Sequence, residues 1–162
     1  MKRDFLKVML WAGDEHEKRT ASPAFTFQRA LDPKLLPMII SRSRAAGLRV
    51  SAHVTTAADF RIAVEAGVDE ISHLPYLGSE PIADADAKLA AKKGIVVVTT
   101  AKLITWIPKN ALPDSERPAV EKVQLANLKL LHENKIRLAI GSDISVFIAK
   151  DKLICFDQEN KS

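Results

Sequence analysis

The sequence predicts an α/β protein of about five βα units around a parallel sheet, on three observations. Short β-branched or apolar runs alternate with longer amphipathic stretches, the pattern of strands joined by helical crossovers. Gly47, Gly67 and Gly94 each stand between a helical stretch and the strand that follows it, where a short αβ loop needs a left-handed cap. Finally, His53, His73 and Asp143 fall at or just after strand ends, on the side where parallel barrels build their sites.

The elements follow in order. The first strand, 5–10, carries Lys7 inside the run Phe5-Leu6-Lys7-Val8-Met9-Leu10; a lysine buried there is costly unless paired or modified, and the equal alternative is a frayed sheet edge with its head in solvent. Segment 11–31 is too long and polar for a simple turn, and long βα loops are where substrate contacts usually sit. Asp32 and Pro33 open a helix over 33–46, with proline at the first helical position, where its missing N–H costs nothing. Strand 48–54 follows, and Thr56 with Asp59 three residues on forms a capping box for a helix over 57–66. A strand at 70–74, a helix over 82–93 and a strand at 95–100 repeat the unit. Segment 103–118 is again long and proline-marked, and a helix over 118–134 and a strand at 136–141 complete the pattern. From 145 to 162 neither periodicity persists, which divides the chain into a barrel-type region, 1–144, and an irregular tail, 145–162.

Composition narrows the class. A chain of 162 residues suits one domain, which at this size buries roughly two-thirds of its unfolded surface. Hydrophobic content of 47% and charged content of 27% are globular values that argue against disorder and membrane classes. Apolar runs such as Ile95-Val96-Val97-Val98 fall short of the roughly 18 residues that span a bilayer. The polar stretch from Asp14 to Arg19 interrupts any signal-peptide core, so a cytoplasmic location is expected. Net charge is +4, with cations scattered among acids, and nucleic acid is not an expected partner. Cys155 is the only cysteine; it forms no internal disulfide and is expected to be inert.

Lys7, His53, His73 and Asp143 lie on four separate strands and converge if the sheet curls into a barrel. Nitrogen and oxygen donors of this kind suit a divalent ion such as zinc, which lowers the pKa of bound water to about 7. The aspartate is then placed to take and return a proton.

Asp4-Phe5-Leu6-Lys7-Val8, Val50-Ser51-Ala52-His53-Val54, Ala66-Gly67-Val68-Asp69-Glu70-Ile71-Ser72-His73 and Ala139-Ile140-Gly141-Ser142-Asp143 resemble the amidohydrolase superfamily. Within it they are most similar to the imidazolonepropionase-related and prolidase-like branch. Their order agrees with strands four, five, six and eight of that family's barrel, so the resemblance implies part of a TIM-type (β/α)8 barrel, strands four to eight. It implies that Lys7 is N-carboxylated and bridges two metals. His53 and His73 would be ligands of the more exposed metal, and Asp143 would bind the other metal and act as general acid and base. The substrate implied is a small amide, cyclic amide or dipeptide.

The family's first-strand His-x-His pair has no counterpart, the other histidines being His16 and His132. A complete barrel takes about 250 residues, and five units would leave two unpaired sheet edges. A homo-oligomer or a complementary barrel half is therefore an expected partner. The second reading is a non-enzymatic fragment, a remnant whose half-barrel binds a partner or itself.

Four residues have plainer readings. His16, in Asp14-Glu15-His16-Glu17, reads as part of a solvated loop. His132 sits near a helix C-terminus, where an imidazole suits the dipole. Tyr76 and Trp106 follow strand ends and either line a substrate pocket or serve as packing.

Overall fold

Five strands form one parallel sheet in chain order: β1 (Phe5–Met9), β2 (Arg49–His53), β3 (Glu70–Ser72), β4 (Val96–Thr99) and β5 (Arg137–Ile140). The computed structural model describes residues 5–23, 30–78, 80–100 and 113–140. Each strand lies beside its sequence neighbour, as repeated βα crossovers dictate. This is the expected α/β class, with the strand order of consecutive units in a (β/α) barrel. The helices are α1 (His16–Thr20), α2 (Leu36–Ala45), α3 (Ala57–Ala66), α4 (Asp84–Lys93) and α5 (Arg117–Glu133).

Register separates the faces of the sheet. Lys7, Ser51, Glu70, Val96 and Arg137 align in one row, and Met9, His53, Ser72, Val98 and Ala139 in another. Side chains alternate with period two, so both rows share a face. The row between them, Val8, Ala52, Ile71, Val97 and Leu138, joins a core with Leu36, Ile40, Phe60, Val64, Ala90 and Leu131 from the helices. Each fully buried Val, Leu, Ile or Phe among these contributes roughly 1.5–3 kcal/mol.

The ends of the helices follow the sequence signals. Thr56 Oγ1 accepts the Asp59 N–H at 3.1 Å, completing the capping box of α3. Gly67 and Gly94 close α3 and α4 with φ of 82 and 67, a conformation that glycine adopts without steric cost. Asp32 accepts the Lys34 N–H at 3.0 Å and caps the 3-10 turn Pro33–Leu35, which runs into α2.

Segment 11–31 differs from its expected irregularity. It holds a 3-10 turn, Gly13–Glu15, and then α1, so His16 opens a short helix and does not lie in a loop. Neither piece buries a residue, so no apolar stripe marks them in the sequence. Charge order does: Glu17 lies in the first turn of α1 and Lys18 and Arg19 in its last, complementing the helix dipole.

Trp106, Asp143, Cys155, the tail 145–162 and most of segment 103–118 lie outside the described residues. Among those described, no helix is long and apolar enough to cross a membrane.

Candidate metal centre

His53 ends β2 on the face that carries Lys7, and it is half-buried. His73 follows β3 by one residue, and strand alternation would send it to the helix side with Ile71. Its φ of 73 breaks that alternation. The ring centroids of His53 and His73 stand 4.5 Å apart at 66°. A left-handed non-glycine residue costs roughly 1–2 kcal/mol, and such outliers gather at functional sites.

Orientation of His73 comes from the neighbouring strand. Its Nδ1 lies 2.9 Å from Thr100 Oγ1, one residue beyond β4, and its backbone N–H donates to Val98 O at 2.9 Å. With Nδ1 engaged by a hydroxyl, Nε2 is the nitrogen His73 would offer an ion, an arrangement usual for metal-ligating histidines. Tyr76 stands edge-on to His53, with centroids 6.4 Å apart at 84°.

Lys7 takes the sheet-edge position of the two expected for it. It is exposed, because β1 pairs only with β2 among the described residues. Its ammonium is nevertheless partnered, donating to Ser72 Oγ and, at 3.3 Å, to Ser51 Oγ. Ser51 donates in turn to Glu70 Oε1 at 2.8 Å, and the two serine hydroxyls lie 3.2 Å apart. A lysine, two hydroxyls and a carboxylate therefore form a connected polar layer on the histidine face.

The structure thus brings together His53, His73 and Tyr76, and places Lys7 on the face that carries His53, where Ser51 and Ser72 hold its ammonium. Ser51, Glu70, Ser72 and Thr100 were not singled out beforehand. A signal for Ser51 does exist: in β2, Arg49, Ser51 and His53 alternate with Val50 and Ala52, which places the serine beside the histidine. His132 lies exposed in the last turn of α5. Among the described residues no group of three or more His, Cys, Asp or Glu side chains is placed to hold a metal ion. The imidazole pair has the donor chemistry of two ligands for a divalent ion.

No family model and no curated protein matches the sequence. Solved structures do share the fold. A prolidase complexed with N-methylphosphonate-L-proline superposes with a TM-score of 0.54 at 26% identity, over 70% of this chain and 28% of its own. An amidohydrolase gives 0.55 at 24% identity, over 71% and 28%. A. niger ochratoxinase gives 0.57 at 23% identity, over 70% and 26%. The chain spans less than a third of the length of these structures.

Proposed function

We propose that this chain carries part of the site of a metal-dependent amidohydrolase of the imidazolonepropionase-related, prolidase-like branch. It would act in the cytoplasm on a carbon–nitrogen bond of a small amide, cyclic amide or dipeptide. The observation that carries the reading is the His53–His73 ring pair at adjacent strand ends, with His73 turned into place by its φ of 73 and held by Thr100. The likeness to a solved prolidase supports the same reading.

In this reading His53 and His73 hold a divalent ion of zinc type, with Lys7, as its carbamate, and Asp143 as further ligands. Such an ion, when bound, supplies Lewis acidity to the carbonyl and lowers the pKa of water to about 7. Asp143 takes a proton from the attacking water and delivers it to the leaving nitrogen. Tyr76 and Trp106 line the substrate side.

Elemental mass spectrometry on protein purified without added metal tests this, with a His53→Ala, His73→Ala double variant beside it. About one ion per chain, lost in the double variant, is the expected result. Metal content that the double variant retains in full would remove the histidines from the site.

One observation favours a second reading alongside the first. Exposed apolar side chains sit on both outer strands, with Phe5 at 36%, Leu6 at 38% and Met9 at 45% on β1 and Ile140 at 74% on β5. Exposed apolar sheet edges invite pairing, and further barrel strands, from another segment or a second copy, would cover them. Light scattering that shows a monodisperse monomer of native-like thermal stability would count against a second copy.

A further inference from the structure

Asp59 is fully buried in the first turn of α3, and its carboxylate collects donors from two separate loops. Oδ2 accepts the N–H of Ala12 at 3.0 Å, of Thr55 at 3.0 Å and of Thr56 at 3.1 Å, together with the Thr55 hydroxyl at 2.7 Å. Oδ1 accepts the Gly13 N–H at 2.7 Å. The capping box requires only the bond from the Thr56 N–H. The other donors join the segment that leaves β1 to the segment that leaves β2.

A third segment is tied to the same point. The Thr55 carbonyl accepts the N–H groups of Tyr76 and Leu77, each at 2.9 Å. The chain leaving β3 after His73 is therefore pinned two residues beyond His53, and Tyr76 returns its ring to His53. The clamp tolerates little: a Cβ on Gly13 would meet Pro33 Cγ at 2.8 Å and Asp59 Oδ1 at 3.2 Å. Ala12, with φ of 46, holds a left-handed conformation that persists only where its surroundings impose it.

We propose that Asp59 is a positioning residue that sets the geometry of the His53–His73 pair by locking the three segments leaving β1, β2 and β3. Hydrogen bonds to a buried carboxylate are roughly twice as strong as neutral ones, so the lock is stiff. Asparagine at this position would aim an NH2 group at N–H donors and leave some of them unpaired. The consequence for metal binding rests on the function proposed above, whereas the effect on ring geometry does not.

The test uses the whole chain in three variants: Asp59→Asn; Thr55→Val, which removes one donor; and Leu131→Ala, a core truncation on α5. Nitrogen-15 resonances of the histidine rings are recorded without metal, and cobalt(II) uptake is followed by its visible absorption. Asp59→Asn should move the His53 and His73 ring signals and weaken cobalt(II) binding about 10- to 100-fold. Thr55→Val should move the same signals by less, and it keeps the test readable if Asp59→Asn does not fold. Leu131→Ala should lower the melting temperature while leaving ring signals in place and affinity within about twofold. If wild type takes up no cobalt(II) but the ring signals move, positioning stands and the metal reading falls. Ring signals that stay put in both Asp59→Asn and Thr55→Val would overturn the proposal.

Discussion

On the helix side of the sheet, Val8, Val50, Ala52, Ile71 and Val97 are buried against helices in one apolar core. One residue along the same strands, Lys7, Ser51, Glu70 and Ser72 share hydrogen bonds on the opposite side, with His53 beside them. A register slip of one residue would exchange these sets. The apolar row resists that slip, because exposing it forfeits several buried side chains at roughly 1.5–3 kcal/mol each. The polar row makes no comparable contribution and is placed by its neighbour. Packing on one face thereby fixes chemistry on the other.

Ile71, on the apolar side, lets this contrast be broken directly. Ile71→Ala should cost about 2–5 kcal/mol, read as a lower denaturant midpoint with the slope unchanged, while metal uptake per folded molecule stays the same. A loss of metal without a loss of stability would dissolve the division between the faces. At His73 the site reaches into the backbone. His73→Gly should bind as little metal as His73→Ala yet be about 1 kcal/mol more stable, because glycine relieves the left-handed strain. Equal stabilities would show that φ of 73 carries no cost. A smaller effect is expected at Ser51, 3% exposed and bonded to both Lys7 and Glu70. Ser51→Ala should cost about 1 kcal/mol in a denaturant titration, the ordinary net value of a hydrogen bond. A cost like that of Ile71→Ala would mean the polar row shares in holding the fold.

The same contrast explains what could be read from the sequence. Strands and long helices announce themselves through apolar periodicity and end signals, and Thr56 with Asp59 behaves as its spacing indicates. His53 was legible because it ends an alternating strand. His73 was legible as a strand-end histidine, but not its turn toward His53, which depends on a backbone angle that alternation does not carry. Asp59 read only as a capping partner, since its bonds to Ala12 and Gly13 bridge residues far apart in sequence. Lys7 read equally as a buried lysine and as one at a sheet edge, because the composition of its strand does not say what lies beyond it, and β1 lies at an edge among the described residues. The short helix α1 buries nothing and left only its charge order as a trace.

A group belonging to neither face should show the smallest effect. Asp84, exposed in the first turn of α4, pairs with Lys88 at 2.6 Å and accepts from Asn134 Nδ2 at 3.3 Å. The hydrogen bond from Lys88, and then that from Asn134, hold its carboxyl below the ordinary value. A depressed carboxyl pKa favours the folded state at pH above the unfolded value, and the gain fades as pH falls through the folded value. Exposure and salt screening keep that gain small. Asp84→Asn should therefore melt slightly below wild type at neutral pH, with the gap closing below about pH 4 and narrowing in high salt. A gap that widens on acidification would contradict the sign, and metal uptake that follows Asp84 would place a surface ion pair in the site.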